Sequence, residues 1–194
     1  MEQLDRYYWE DRWQSDNTGW DIGKPSPAIV SYMEQYPHKA ARILIAGCGH
    51  AHEAAALAAL GFTDITVLDI AETATEKIRH KYQHIKEIKV ICEDFFTHNA
   101  HYDLLLEQTF FCAIPTEKRV DYVQQAANLL APNGKLVGLL FNRNFDMPGP
   151  PFAGGIAEYS ALFAPFFTFQ TLAPCFNSIP ARAGKELFIN FNKK

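Results

Sequence analysis

Two glycines one residue apart, followed by an acid 20 residues after the second, are residue types that together can hold a nucleoside. Gly47 and Gly49 come directly after an apolar run, and glycine at such a turn lets the backbone approach a ligand closely. Asp69 closes the next apolar run and can accept hydrogen bonds from both ribose hydroxyls. The ordinary alternatives are a tight turn for the glycines and a helix cap for Asp69. Because the glycines and Asp69 both stand at the ends of successive apolar runs, an adenosine ligand is favoured over these alternatives.

A third turn carries polar and aromatic residues in the same position relative to its apolar run. Asp94 and Phe95 follow the run 88–92, and a carboxylate there can accept from the adenine amine while a ring packs against the base. The alternative is an acidic turn beside a core phenylalanine. His50 and His52, in the glycine turn, are candidate bases, although exposed loop histidines are the simpler interpretation.

The glycine turn lacks the residues that a pyrophosphate requires. Position 52 is His, so the third glycine of G-x-G-x-x-G is missing, and no Lys or Arg follows the glycines closely. A sulfonium cofactor such as S-adenosylmethionine needs no phosphate clamp, and aromatic faces attract its positive charge. Trp9, Trp13 and Trp20, all in the first 38 residues, supply such faces; alternatively they bury this segment against the sheet.

Apolar runs and helix-like segments alternate along the rest of the chain, which predicts that these turns follow successive strands of one sheet. Predicted strands cover 41–46, 65–68, 88–92, 102–106, 135–141, 167–172 and 186–191, and predicted helices cover 51–60, 72–83, 116–130 and 156–163. A turn is expected at 132–134 and a loop at 142–155. The alternation predicts a Rossmann-like, doubly wound α/β fold with a mostly parallel seven-stranded sheet, an antiparallel edge and an aromatic N-terminal arm.

Composition and charge indicate how many domains the chain has and which partners it lacks. The 194 residues are 48% hydrophobic and 21% charged, which indicates one domain over 1–194, with 1–38 as an arm that covers the cofactor. A net charge of −4 argues against a nucleic-acid partner, and no apolar run reaches the ~20 residues of a membrane span. With no export signal and four scattered cysteines, we expect a cytoplasmic protein with reduced thiols. No metal is expected, because His and Cys lack ligand spacing.

Longer strings in the sequence resemble those of one enzyme family. They are YWEDRW (8–13), GWDIGKPSPAIV (19–30), LIAGCGHAHE (44–53), VLDI (67–70), EDFF (93–96), EQTFFCAIP (107–115), PNGKL (132–136), GPPF (149–152) and IPARAGKEL (179–187). On these strings the chain is similar to the thiopurine methyltransferase superfamily of class I S-adenosylmethionine-dependent methyltransferases. Within it, the halide and thiol methyltransferase branch is the most similar. The strings run from end to end of the chain.

The resemblance implies S-adenosylmethionine as the cofactor, without a metal, and it implies roles for individual residues. Trp9, Trp13 and Trp20 of the arm would cover the cofactor, and Gly47 and Gly49 of the first turn would contact its methionine part. Asp69 would bind the ribose, Asp94 and Phe95 would contact the adenine, and Gln108 would lie near the sulfonium. The acceptor pocket would be lined by Phe111, Phe152, Tyr159 and the loop 148–155, with no evident fixed cation.

The expected reaction is transfer of a methyl group to a small soft nucleophile, a thiol, hydrosulfide or halide, by in-line displacement. No catalytic residue is assigned, because orienting the two reactants supplies most of what such a displacement needs. Thiopurine enzymes carry Arg where this chain has Gln108, which argues against a thiopurine. The alternatives are another small-molecule acceptor (thiopurine, metalloid or hydroxyl) or a cofactor-binding module without turnover. Enzymes that methylate the amines of bases often carry an N/D-P-P-Y/F motif directly after the fourth strand. Here the similar string GPPF follows the fifth predicted strand, so methylation of nucleic acid is disfavoured.

Overall fold

A seven-stranded sheet forms the centre of the computed structural model, which describes residues 4–146 and 149–194. The strands are β1 (Arg42–Ala46), β2 (Asp64–Asp69), β3 (Ile88–Cys92), β4 (Tyr102–Gln108), β5 (Leu130–Phe141), β6 (Phe167–Pro174) and β7 (Glu186–Lys193). Their order is β3-β2-β1-β4-β5-β7-β6. Strands β1 to β5 are parallel, whereas β7 runs antiparallel to both β5 and β6. The predicted α/β fold with an antiparallel edge is confirmed.

Helices cover both faces of this sheet. They are α1 (Arg6–Gln14), α2 (Pro27–Glu34), α3 (His52–Ala59), α4 (Glu72–Tyr82), α5 (Arg119–Leu129) and α6 (Ile156–Phe163). The helices α2, α3 and α4 contribute to one apolar layer, and α5 and α6 contribute to the other. Both layers meet at β4, where Leu104 and Leu106 face one side and Leu105 the other. Successive side chains of a strand point to opposite faces, so a sheet covered twice requires such apolar runs.

The N-terminal arm contains two helices that the sequence analysis did not delimit. The side chain of Asp5 accepts from the backbone N–H groups of Tyr7 and Tyr8 and so caps α1. Pro27 stands at the first position of α2, where its missing N–H costs no hydrogen bond. Residues 1–3 of the arm, and residues 147 and 148 of the predicted loop 142–155, lie outside the described residues.

The arm packs on α4 through one face of α1. Trp13 is 2% exposed and lies against Ala71 and Ala74. The Glu10 carboxylate accepts from both the backbone N–H and the hydroxyl of Thr73. These contacts place the arm beside the carboxyl end of β2. No helix within the described residues is both long and apolar enough to span a bilayer.

Strand β5 departs from the predicted boundaries. A turn was expected at 132–134, but β5 begins at Leu130 and includes these residues. Tyr102 pairs with Leu130 and Leu104 pairs with Lys135, so residues 131–134 bulge opposite a single residue of β4. Asn133 adopts a φ of +63° within this bulge. The turn residues are therefore absorbed into the sheet, and α5 ends at Leu129, where the strand starts.

Candidate cofactor and acceptor site

The turn after β1 brings glycine backbone to the carboxyl edge of the sheet. Gly47 and Gly49 have φ values of +54° and +53°, in the left-handed region that side chains with a β-carbon rarely adopt. A β-carbon on Gly47 would also overlap the ring of Phe110. A β-carbon on Gly49 would contact the indole nitrogen of Trp20. The backbone conformation therefore favours glycine at both predicted positions, and crowding favours it at Gly47 in addition.

Asp69 joins this turn to the next one. Its carboxylate, at the end of β2, accepts from the backbone N–H of Gly49 at 3.3 Å and of Ala71 at 3.0 Å. Burial raises the pKa of Asp69 to about 6, although these hydrogen bonds act in the opposite direction. The cap residue of α4 is Ala71, so Asp69 is not the helix cap that its position in the sequence also allowed. A buried, oriented carboxylate thus stands beside the glycine turn.

The three tryptophans of the arm form one aromatic cluster next to this edge. The Trp9 and Trp20 ring centroids are 5.6 Å apart, and those of Trp13 and Trp20 are 6.1 Å apart, both pairs in edge-to-face orientation. Trp13 is buried against α4, while Trp9 and Trp20 remain half-buried. The backbone oxygen of Trp20 accepts from Nη2 of Arg182 at 3.1 Å. The cluster therefore contacts α4, which follows β2, and the segment of Arg182, which precedes β7.

The turn after β3 separates its two predicted residues. Asp94 is half-buried, and its Oδ1 accepts from the backbone N–H of Phe96 at 2.9 Å. Phe95 is 2% exposed and packs in the core, with its ring centroid 5.2 Å from those of both Phe110 and Tyr122. This placement matches the alternative role of Phe95 as a core phenylalanine. An adenine contact therefore stays a prediction that rests on Asp94.

The end of β4 holds two polar side chains of different character. Gln108 points its Oε1 into the interior, where the atom has no hydrogen-bond partner among the described residues. Glu107 is 1% exposed and accepts from the backbone N–H groups of Phe110 and Phe111 and from the hydroxyl of Tyr122. Burial raises the pKa of Glu107 to about 7 despite these donors. Glu107 fixes the turn that carries Gln108.

A small cavity lies behind this turn, between β4, β5 and β7. Its lining consists of Glu107, Thr109, Cys112, Leu139, Leu140, Phe141 and Glu186. Arg182 borders it, with the guanidinium 5.3 Å from the centre of the Phe141 ring and Nη1 donating to Glu186 at 3.4 Å. The sequence analysis expected no fixed cation in the acceptor pocket, and Arg182 contacts Phe141 and Glu186 of this lining without itself belonging to it. Arg182 comes from a segment 70 residues beyond Cys112, and no spacing rule connects the two.

Two of the three predicted acceptor residues are buried in the core. Phe111 and Tyr159 are each 1% exposed, their ring centroids lie 5.7 Å apart, and the Tyr159 hydroxyl donates to the Phe141 oxygen at 2.7 Å. Neither residue belongs to the lining of the cavity. The sequence could not predict this, because an aromatic residue type alone does not distinguish a core from a pocket. Phe152 remains half-buried, and its N–H donates to the oxygen of Cys112 at 2.7 Å.

The histidines of the glycine turn contact the arm. Nδ1 of His50 lies 3.2 Å from Oδ2 of Asp21, and Nε2 of His52 lies 2.9 Å from Oδ1 of the same carboxylate. The two imidazole side chains are 30% and 19% exposed, so they are neither fully solvated nor buried.

The four cysteines are free thiols.

The structure brings most of the predicted cofactor residues to one edge and adds residues that the sequence analysis did not single out. The glycine turn, Asp69 and the tryptophan cluster adjoin one another, and Gln108 is the last residue of the neighbouring strand β4. The missed residues are Asp21, Arg182 and Glu186. All three lie within strings of the family resemblance, GWDIGKPSPAIV and IPARAGKEL, which was the available signal.

Comparison with protein families and curated proteins identifies relatives along most of the chain. The family described as Thiopurine S-methyltransferase (TPMT) matches residues 4–179. The "Probable thiol methyltransferase 2" of Arabidopsis thaliana is 33% identical over 162 residues, which are 81% of this chain and 71% of that protein. The "Thiocyanate methyltransferase 1" of Brassica oleracea is 32% identical over 184 residues, which are 92% and 81%.

A solved structure shares the fold at much lower identity. It is the 1,6-didemethyltoxoflavin-N1-methyltransferase of Burkholderia thailandensis, crystallised with 1,6-didemethyltoxoflavin and S-adenosylhomocysteine. The TM-score is 0.78 at 18% identity, and the match covers 97% of this chain and 87% of that one. The likeness supports the architecture of the sheet and its helices.

Proposed function

The chain belongs to the thiopurine S-methyltransferase family and is an S-adenosylmethionine-dependent methyltransferase of small molecules, and we propose that its acceptor is a small soft nucleophile, a thiol, hydrosulfide or halide. The reaction is an in-line displacement in which the nucleophile takes the methyl group. S-adenosylmethionine supplies a methyl carbon made electrophilic by a positively charged sulfonium. The chain itself has to bind, orient and desolvate the reactants.

Three features of the described residues fit this cofactor. The glycine turn at 47–49 offers backbone that a ligand can approach closely, and Asp69 offers a carboxylate for ribose hydroxyls. Oε1 of Gln108, a buried acceptor with no partner among the described residues, is suited to an ammonium donor such as that of the methionine part. The glycine turn 47–53 contains no Lys or Arg that would repel a cation.

The arm completes the proposed cofactor site. In this proposal Trp9, Trp13 and Trp20 cover the cofactor, and residues 1–38 form an arm of a single domain that spans 1–194. Edge-to-face contacts among the tryptophans leave Trp9 and Trp20 half-buried, so aromatic surface remains for a cationic ligand. Asp94 is proposed to accept from adenine, with Phe95 supporting its turn from the core.

The observation that carries the acceptor proposal is the small cavity beyond β4 with Arg182 at its border. A small space favours a small acceptor. Leu139, Leu140 and Phe141 form the apolar part of the lining and favour an acceptor that leaves water easily, while the carboxyl groups of Glu107 and Glu186 form its polar part. The guanidinium of Arg182 attracts an anionic nucleophile such as a thiolate, hydrosulfide or iodide. Phe152 lies half-buried beside the same segment and is proposed to contact the acceptor.

The residues of the chain prepare the acceptor without a dedicated base. A halide or hydrosulfide ion carries no proton that must be removed, and a thiol is partly ionised near neutral pH. The positive charges of Arg182 and the sulfonium both favour the thiolate. Alignment of the reactants in a water-poor site supplies about 7–11 kcal/mol of the barrier reduction.

An acceptor panel tests the proposal. The protein is incubated with S-adenosylmethionine and, in turn, iodide, chloride, hydrosulfide, thiocyanate, thiophenol, a thiopurine, a catechol and an oligonucleotide, while release of the demethylated cofactor is measured. We expect the highest kcat/KM with hydrosulfide, thiophenol or iodide, and lower values with chloride as the matched control.

The remaining outcomes decide between the alternatives. Preference for the thiopurine would show that Gln108 is compatible with that acceptor and would replace the soft-nucleophile assignment. Activity confined to the catechol or the oligonucleotide would refute it. Binding of S-adenosylhomocysteine without turnover of any acceptor would indicate a cofactor-binding module.

A further inference from the structure

Three side chains that the methyl-transfer proposal does not use converge between the arm and the glycine turn. They are Asp21, which follows Trp20, and His50 and His52, which precede and begin α3. One nitrogen of each imidazole and one oxygen of the carboxylate all lie within 4.8 Å of one another. Asp21 is separated from His52 by 31 residues, so no local sequence spacing indicates the group.

The chemistry of the group is that of a metal site. Two imidazole nitrogens and one carboxylate oxygen are ligands that zinc and its first-row neighbours prefer, whereas magnesium and calcium prefer oxygen alone. Oδ2 of Asp21 lies 3.2 Å from Nδ1 of His50 and Oδ1 lies 2.9 Å from Nε2 of His52, so the carboxylate already holds both imidazoles at the position where one ion could bind all three side chains. From this geometry we propose that Asp21, His50 and His52 bind a divalent transition-metal ion of the zinc class.

A second observation supports the site independently of the distances. Nδ1 of His50 is shielded from solvent and makes no hydrogen bond with suitable geometry to any described residue, although Oδ2 of Asp21 is close. Buried polar atoms normally have a partner, and an unpartnered one indicates a ligand or a functional role. A metal ion between the two atoms would satisfy both.

An ion at this position would tie the arm to the cofactor loop. Trp20 directly precedes Asp21 and lies over Gly49, and the Trp13 ring is 4.8 Å from the His50 ring. The bound ion would therefore hold two of the cofactor-covering tryptophans in place. Three protein ligands leave at least one coordination position for water or another ligand.

Metal binding to the chelator-treated full chain tests the site. Zn²⁺ titration by calorimetry should give one ion per chain, and Co²⁺ should give the visible absorption of a low-symmetry site. We expect His50→Ala, His52→Ala and Asp21→Asn each to weaken Zn²⁺ binding by about 10-fold or more, since even residues behind a metal ligand contribute 10–100-fold. His80→Ala and His84→Ala are matched controls, because both side chains are exposed and outside the group.

Further measurements separate loss of the site from loss of the fold. Circular dichroism and thermal melting identify variants that are misfolded. Zn²⁺ should raise the melting temperature of the wild-type chain, and this shift should be absent in the His50→Ala/His52→Ala double variant. Equal Zn²⁺ affinity in the double variant and the wild type, no Zn²⁺ binding by the folded wild type, or tighter binding of Mg²⁺ than of Zn²⁺ would each overturn the proposal.

Discussion

The cofactor side and the acceptor side of the sheet edge satisfy their buried carboxyl groups by different means. Asp69, on the cofactor side, accepts from two backbone N–H groups of adjacent turns. Glu186, on the acceptor side, is 3% exposed and receives one long hydrogen bond from Arg182, while its Oε2 has no partner among the described residues. Asp69 is therefore held by backbone donors, whereas Glu186 depends on a single side chain four residues away.

This difference indicates where the protein is rigid and where its specificity can change. Backbone donors are fixed by the fold, so a cofactor site built on them requires little rearrangement when the ligand arrives. Incompletely satisfied buried groups interact strongly with whatever enters, because the local dielectric constant is low. We therefore expect substitutions near β1 and β2 to change cofactor affinity, and substitutions near β5 and β7 to change acceptor choice.

Asp69→Ala tests the cofactor side with the largest expected effect. The substitution removes the acceptor proposed for the ribose hydroxyls and releases the N–H of Gly49. A hydrogen bond to a charged group contributes about 1.5–3 kcal/mol, so affinity for S-adenosylhomocysteine should fall by about 10–100-fold in calorimetry. Asp64→Ala, at the start of β2, is the control and should bind normally. Unchanged affinity of Asp69→Ala would exclude the ribose role.

Arg182→Met tests the acceptor side. With the guanidinium removed, kcat/KM for an anionic acceptor should fall by about 10-fold more than for a neutral one, while S-adenosylhomocysteine affinity changes less. Lys185→Met removes the same charge from an exposed neighbour and should have little effect. An equal loss for charged and neutral acceptors would mean that Arg182 supports the arm through the Trp20 oxygen instead.

A pair of tryptophan variants sharpens the comparison within the arm. Trp13 is 2% exposed, so Trp13→Ala should destabilise the fold by about 3–5 kcal/mol, visible as a lower melting temperature. Trp20 is half-buried over the glycine turn, so Trp20→Ala should lower turnover several-fold, by about 1 kcal/mol of lost aromatic contact, with a smaller change in melting temperature. Full activity of Trp20→Ala would reduce the arm to a packing element.

The pH dependence of stability gives the smallest expected effect. The pKa of Glu107 is about 7 in the folded chain, above its ordinary value of 4.5, so the folded state binds more protons than the unfolded state between these pH values. Glu107 therefore lowers stability as pH rises through that window and adds no further change above it. Glu107→Gln keeps an acceptor for Phe110 and Phe111 and should flatten the melting-temperature profile from about pH 4.5 to 7. An unchanged profile would contradict the shifted pKa.

Much of the fold could be predicted because local patterns specify it. The parallel strands are apolar runs, and each predicted strand has a counterpart in the structure. The helices of the arm escaped delimitation because α1 is mostly polar and exposed, although Asp5 and Pro27 are start signals. The extent of β5 could not be predicted either, since the turn residues 132–134 pair only once β4 lies alongside.

The residues of the candidate site also fall into those that local sequence patterns predict and those that only the tertiary fold brings together. Gly47, Gly49 and Asp69 could be grouped from the sequence, because the carboxyl ends of parallel strands meet at one edge. Arg182 and Asp21 could not, since their positions depend on how distant segments fold back. The burial of Phe111 and Tyr159 was also unpredictable, because an aromatic residue suits a core and a pocket equally.

The insertion of β7 between β5 and β6 gives the growing chain an order of assembly. Strand β6 leaves the ribosome before β7, yet at the edge of the sheet it pairs with β7 alone. Until 186–193 emerge, β6 and the outer edge of β5 present unpaired backbone, a period in which edge-to-edge association is most favoured. A nascent chain can therefore complete the cofactor side before Arg182 and Glu186 emerge, so an error in the pairing of β5, β7 and β6 would affect acceptor recognition first.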